Sequence, residues 1–301
     1  MMENQLDPRL HAYRSDLADA SLRGQVQAER YIDGQNAQLV RTAPLRRSPA
    51  PDAILQTEGM GGEMVQVFDV ADGWAWIQLR RDGYVGYVPA DALMQSFAFT
   101  SHYINAPTAL VFPQPDIKQP PVARMFLGTE ICLKGSHGDF IELANGGFVY
   151  HHCVSPIGTH VDDFVSVAER FVGVPYLWGG KTAAGLDCSG LVQITLQAAG
   201  VTCLRDTDMQ QASVGTSLGV SPNPVTLMRG DFVFWAGHVG MLVDRNTLLH
   251  ANAFHMEVAV EPLLQAIERI RADTGPVVDV RRNAPQGKTV DSPLIGAIAG
   301  V

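Results

Sequence analysis

The chain has 301 residues, with 46% hydrophobic and 18% charged, and its 22 Lys and Arg against 31 Asp and Glu leave a formal net charge of −9. That composition belongs to folded globular protein long enough for two or three domains, and its acidic balance argues against nucleic acid, whose counterions are displaced only by concentrated Lys and Arg. Cys132, Cys153, Cys188 and Cys203 include no CxxC pair, so neither a disulfide framework nor a structural metal site is indicated, and no cofactor is expected.

The opening MMENQLDPRLHAYRSDLADASLRG carries charges throughout and lacks the apolar core of a secretion signal. No later stretch approaches the ~20 apolar residues that span a bilayer. The expectation is a cytoplasmic protein with no membrane partner, in a reducing compartment where a thiolate is available. Leu10, Leu17, Leu22 and Val26 lie among charges and predict a helical leader over 1–37. Over 38–97 the texture changes to short alternating runs, with EMVQVFDV and WAWIQL joined by Ala71-Asp72-Gly73 and a further turn at Arg81-Asp82-Gly83. The order recurs more faintly over 98–157, in ALVFPQPDIKQPPVA and GTEICLKGSHGDFIELANGGFVYHHCV, which predicts two tandem small β-barrels. The segments DGWAWIQ and DGYVGYVPADAL of the first resemble the bacterial SH3-like domains that accompany cell-wall enzymes. For such a barrel a packing or binding accessory is the plainer reading, because fold alone assigns no function.

The third region covers 158–283. In VDDFVSVAERFVGVPY, Phe164, Val167, Ala168 and Phe171 have helical spacing that stops at Gly173 and Pro175. LWGGKTAAGLDCSGLVQITLQAAG then reads as a glycine-bearing loop and an apolar helix ending at Gly200. GDFVFW, HVGMLVD and TLLHAN follow as three successive strands, so the layout is α+β. Residues 284–301, with PQGKT and DSPLIGAIAGV, have little to pack and predict a flexible tail.

Cys188 sits where the glycine-rich loop gives way to the helix, and unpaired amides with the positive end of the dipole favour a thiolate there. The alternative is a small buried hydrophobe. A nucleophilic thiol needs an imidazole to take its proton and return it to the leaving amine, and His238 opens a strand downstream. The other ring nitrogen must be oriented, a role open to His250 on the next strand. Strand alternation sharpens this, because the two rings become diagonal neighbours only if even positions pair with even. A plain two-residue turn at Arg245-Asn246 breaks that parity, so an odd loop at Asp244-Arg245-Asn246 or an equivalent bulge is expected.

PYLWGGKTAAGLDCSGLVQ followed by GDFVFW, HVGMLV and LLHAN resembles the NlpC family of papain-like cysteine peptidases. The resemblance implies an α+β papain-like catalytic domain preceded by two small SH3-like β-barrels, with Cys188 as nucleophile, His238 as base and His250 as orienting third member. It makes Tyr176 the tyrosine beside the nucleophile, supporting the oxyanion with the Cys188 amide. With the barrels included, the chain is similar to the γ-D-glutamyl-L-diamino acid endopeptidases, which cut murein tripeptides or tetrapeptides bearing a free N-terminal L-Ala. In that group the carboxylates matched by Asp187 and Asp206 bind the free amine, residues matched by Ser189 and Thr207 hydrogen-bond the dipeptide, and the tyrosine matched by Tyr84 walls off the amine end. Two buried anions favour an ammonium and disfavour a blocked end. Thr207 departs from the group's usual serine and keeps the hydroxyl.

Each assignment has a plainer counterpart. Asp187 also reads as a helix cap, Asp206 as a turn residue paired with Arg205, and Trp74, Trp76, Trp178 and Trp235 as core. For the whole protein the alternatives are a cell-wall peptide binding module on an inactive scaffold, and a thioester acyltransferase of the same superfamily.

Overall fold

A computed structural model describes residues 6–95, 99–220 and 226–283. The expected tail at 284–301, and the border near 97 between the two predicted barrels, lie outside the described residues.

The leader is not helical where described. Leu17–Asp19 pairs in parallel with Arg30–Ile32, and a single 3-10 turn covers Ala20–Leu22. Gly24 at φ 85° breaks the run, and the apolar residues serve an extended chain: Ala12 and Leu17 close over Phe68 and Trp76 on the neighbouring sheet. Arg14 lies 4.5 Å over the Trp76 ring and ion-pairs with Asp69.

That sheet has seven strands, in the order Leu55–Gly59, Ala43–Arg46, Val85–Pro89, Trp74–Leu79, Met64–Ala71, Gln35–Leu39, Leu93–Met94. Its central hairpin closes with Ala71 opposite Trp74, and Asp72 and Gly73 sit at φ 50° and 80°. Two positive φ values in a two-residue loop match the right-handed strand twist, which explains Asp-Gly there. Leu39, Leu45, Val65, Ile77 and Val88 fill the interior together with Tyr84.

Residues 102–156 fold around a separate core of Ile104, Ala109, Val111, Leu143 and Val149. Where a second barrel is expected, the structure has three small sheets, two of three strands and one of two, with a bridge between Phe112 and Phe148. Short runs broken by Pro and Gly limit pairing to a few residues per strand.

The third region carries α1 (Phe164–Glu169), α2 (Cys188–Ala198), α3 (Thr207–Ser213) and α4 (Leu263–Asp273). It also carries a six-stranded antiparallel sheet in the order Thr216–Gly219, Asp279–Arg282, Asp231–Trp235, His238–Asp244, Thr247–Asn252, Glu257–Pro262. α2 is buried on nearly every side, and its buried polar residues Ser189, Gln193 and Thr195 are each hydrogen-bonded there. It ends with Gly200 at φ 75°, the Gly200 amide donating to Gln197 O and the Val201 amide to Leu196 O, a Schellman cap. Phe232, Phe234, Val239, Met241, Leu249 and Ala251 face α1 and α2, while Val233, Trp235, Leu242 and Leu248 face α4. No helix among the described residues is long and apolar enough to cross a membrane.

Candidate active site

Cys188 is the first residue of α2 and is 6% exposed. The helix begins there because Asp187 caps it, accepting the Gly190 amide at 2.7 Å. Gly190 has to be glycine, since a Cβ would come within 2.3 Å of the Gly180 carbonyl oxygen. The sulfur lies 3.8 Å from Thr207 Oγ1 and beside the Val239 amide, one residue along the strand from His238.

His238 opens its strand after a hairpin that pairs Trp235 with His238. Its Nε2 meets Nδ1 of His250 at 2.8 Å, and His250 Nε2 meets Oε1 of Glu261 at 2.7 Å. The parity requirement is satisfied by the bulge rather than the odd loop. Leu242 pairs with Leu248, then the register slips so that Asp244 pairs with Thr247, and the extra residue, Val243, restores even-with-even despite the two-residue turn. Gly240, two residues along the same strand from His238, faces His250, whose Cβ would lie 3.1 Å from a Cβ placed there.

The charge state differs from the thiolate that the helix terminus predicts. Burial first, then the Asp187 charge, pushes the Cys188 thiol up to about 11, against the Val239 amide, the Thr207 hydroxyl and Arg205. Burial, His250 and Arg269 press His238 down to about 3, against Glu261. The resting pair is therefore neutral thiol and neutral imidazole: desolvation of a largely buried sulfur outweighs the terminal amides. Among the described residues no hydrogen bond joins the sulfur to the His238 ring.

The Asp187 carboxylate is saturated. Oδ1 accepts from the Ser189 hydroxyl, the Gly190 amide and Arg205 Nη1, and Oδ2 from the Gly179 amide and Arg205 Nη2, at 2.7–3.2 Å. Arg205, 1% exposed, also donates to Thr57 Oγ1 in the first barrel and to the Gly180 carbonyl. Asp187 is thus neutralised by a bidentate guanidinium and has no acceptor left for an ammonium, contrary to the amine-binding role expected of it. Ser189 has spent its hydrogen on Asp187 and accepts Arg205 Nη1 at 2.7 Å, so one lone pair is all it can offer.

Asp206 pairs with a different arginine from the one sequence suggests. Its Oδ2 accepts from Arg9 Nη1 at 2.8 Å and from the Tyr84 hydroxyl at 2.9 Å. Oδ1 takes no hydrogen bond among the described residues, and the side chain does not cap α3 although Asp206 holds the N-cap position. Burial lifts this carboxyl above its ordinary value while Arg205, Tyr84 and Arg9 oppose the lift. Arg9 also binds Asp7 and Asp208, so one cation faces three carboxylates. Burial and the Asp206 charge push the Tyr84 phenol up, which keeps it a donor.

These groups share a cleft of about 350 Å³ lined by Tyr84, Tyr176, Trp178, Cys188, Asp206 and Thr207, among others. Tyr176 is half-buried at its wall, and burial first, with the nearby Asp187 charge, pushes its phenol up. Trp178 is 65% exposed there rather than in the core, whereas Trp76 and Trp235 are buried as expected. The cleft residues that sequence does not assign include Arg9, Arg47, Trp178 and Asp208, and behind the histidines it does not assign Glu261 and Arg269. Of these Glu261 alone had a local signal, being one diagonal step beyond His250 on the next strand. Among the described residues, the one candidate metal group, His250, His255 and Glu261, is engaged in hydrogen bonds to His238, Asn252 and Arg269.

A cysteine heading a buried helix against a histidine-bearing antiparallel sheet is the papain-like arrangement, the class of peptidases to which this fold belongs. Residues 173–269 match the NlpC/P60 family, and residues 45–93 match the bacterial dipeptidyl-peptidase Sh3 domain. The probable endopeptidase NlpC of Escherichia coli is 31% identical over 116 residues, 34% of this chain and 73% of that protein. The gamma-D-glutamyl-L-lysine dipeptidyl-peptidase of Bacillus cereus is 24% identical over 241 residues, 69% of this chain and 71% of that one. An NlpC/P60 family protein from Bacillus cereus shares the fold, with a TM-score of 0.67 at 21% identity over 83% of this chain and 100% of that one. The chain belongs to the NlpC/P60 family and carries an SH3 domain ahead of the peptidase domain.

Proposed function

We propose that the protein is a cysteine endopeptidase that hydrolyses the γ-D-glutamyl to diamino acid bond of murein peptides with a free N-terminal L-Ala, in turnover or recycling of cell-wall peptides. The observation that carries this reading is that Cys188 and Asp206 open onto one cleft, so a nucleophile and an acceptor oxygen face the same space. Two relatives at 24% identity, both named gamma-D-glutamyl-L-lysine dipeptidyl-peptidase, carry the corresponding bond in their names.

In this reading the peptide's ammonium meets Asp206 Oδ1, and Tyr84 with Arg9 ends the groove beyond it. Asp7, Asp206 and Asp208 around Arg9 leave that end net negative, which favours an ammonium over an acylated or anionic terminus. Thr207 and the Ser189 lone pair face the dipeptide, while Asp187 acts through the helix and Arg205 rather than on the substrate. The sulfur attacks the γ-carbonyl carbon as its proton passes to His238, the oxyanion taking the Cys188 amide and the Tyr176 hydroxyl. Because thiol and imidazole begin neutral and unbonded, this transfer accompanies attack, with the contact tightening around substrate. His238 then protonates the departing amine, leaving a thioester, and deprotonates the water that releases L-Ala-γ-D-Glu.

Mass spectrometry of digests of L-Ala-γ-D-Glu-diaminopimelate, its lysine counterpart and their N-acetylated forms tests this. Release of L-Ala-γ-D-Glu from the free-amine peptides alone is expected, and none with Cys188→Ala. Retained turnover in that variant overturns the mechanism, and equal cleavage of acetylated peptide overturns amine recognition.

A further inference from the structure

We infer that Glu261 is a positioning residue that sets, through His250, which nitrogen of His238 is the base. The inference deepens the proposed reading, on which it rests only for the role of His238.

Three adjacent strands present His238, His250 and Glu261 on one face in successive diagonal steps. Leu248 pairs with Glu261 and His250 with Ala259, so Glu261 is diagonal to His250 as His250 is to His238, and the small Ala259 leaves room opposite the ring. The contacts are 2.8 Å from His238 Nε2 to His250 Nδ1 and 2.7 Å from His250 Nε2 to Glu261 Oε1. Glu261 is itself held by Arg269 from α4, whose guanidinium lies 4.3 Å over the Phe254 ring.

The polarity of this chain follows from one fact, that an ionised carboxylate only accepts. The hydrogen bond from His250, with the Arg269 charge beside it, holds Glu261 below its usual value. His250 Nε2 must then carry the hydrogen. A neutral His250 is left with a lone pair on Nδ1, so His238 Nε2 must donate to it, and the lone pair of His238 falls on Nδ1. Replacing the carboxylate by a group that can also donate removes the instruction at its source, because His250 Nε2 could then accept and both rings could reverse. When His238 takes the thiol proton, the same chain carries an anion toward the new imidazolium.

The charged and titratable groups around the relay are His238, His250, Glu261, Arg269 from α4 and His255 from the loop after Asn252. Glu261 raises both histidines and Arg269 lowers both. Loss of the carboxylate charge therefore leaves His238 and His250 harder to protonate, and the acidic limb of kcat/KM moves to lower pH.

The test uses full-length protein labelled with ¹⁵N-histidine, with His238 and His250 signals assigned from single variants. In wild type both rings are expected as Nε2–H tautomers near neutral pH. In Glu261→Gln the tautomers should become mixed or reversed, kcat should fall on the order of tenfold or more with KM within about twofold, and the acidic limb should shift down. A wild-type His238 bearing its hydrogen on Nδ1 overturns the inference, as does a Glu261→Gln enzyme with unchanged tautomers and pH profile, whatever its stability. The tautomers are read without substrate, so failure to cleave the proposed bond would overturn the substrate assignment and leave this result standing.

Discussion

The two small β regions ahead of the peptidase domain share a sequence rhythm and differ in what crosses their borders. From the first, Thr57 binds Arg205, Glu58 accepts the Lys181 amide, Asp82 accepts from Gln193, and Tyr84 donates to Asp206. Met209 and Leu204 of the peptidase domain pack in turn with the first barrel's core. The second region is tied to its neighbours by Arg81 with Glu130, by Arg170 with the Asn105 carbonyl and by Tyr103 with the Thr159 carbonyl. None of its residues lines the cleft at Cys188. A domain's part in a site thus depends on the few polar side chains it sends across the interface, and similarity of strand pattern carries no information about them.

The largest effect that would test this difference is expected at Arg205. It joins Thr57 of the first barrel to the Asp187 cap of α2, with side chains 1% and 11% exposed for the pair with Asp187. Arg205→Met removes the cation and leaves Asp187 buried without its partner, a loss on the order of 3–5 kcal/mol readable from the urea unfolding midpoint. Peptide cleavage should fall with it, because the cap that orients Cys188 is disturbed. A variant as stable and active as wild type would mean that the first barrel is joined to the site no more intimately than the second region.

Much of the peptidase domain was legible because period and punctuation coincide there. HVGMLVD and TLLHAN announce strands, and the demand that two histidines share a face fixed the need for an irregularity that the structure supplies at Val243. The leader was misread because its leucines follow the contour of a neighbouring sheet, and one-dimensional spacing does not carry that contour. The expected thiolate fails for a related reason: helix-terminus electrostatics is local, while the desolvation that outweighs it comes from the apolar cluster folded around Cys188 from other elements, against the Val239 amide. Arg9 gave no signal, since its bond to Asp206 spans 197 positions. Asp187 and Asp206 were found as a pair of carboxylates, but which arginine each one faces is decided only by tertiary structure.

A smaller effect separates the two regions kinetically. Tyr84→Phe in the first barrel removes the 2.9 Å hydrogen bond to Asp206, and kcat/KM for the free-amine peptide should drop about tenfold, the size of one charge-assisted hydrogen bond. Tyr103→Phe in the second region loses its 2.8 Å bond to the Thr159 carbonyl, at a cost of about 1 kcal/mol in stability and with kcat/KM unchanged within about twofold. Steady-state kinetics beside thermal unfolding distinguishes them. Equal kinetic losses in both variants would erase the contrast.

The smallest effect is expected at Lys134, whose ammonium meets Glu142 at 2.6 Å on the surface of the second region, 64% exposed. Solvent screens such a pair, and ordering a long side chain offsets its attraction, so Lys134→Ala should leave the thermal unfolding midpoint essentially where it is in wild type. Glu142 keeps a second partner in His137 at 2.9 Å, which further softens the loss. Cleavage kinetics should not move at all, since nothing connects this hairpin to the cleft. A fall in kcat/KM without a fall in stability would be hard to reconcile with a passive second region, and would mean that substrate touches a surface well outside the groove at Cys188.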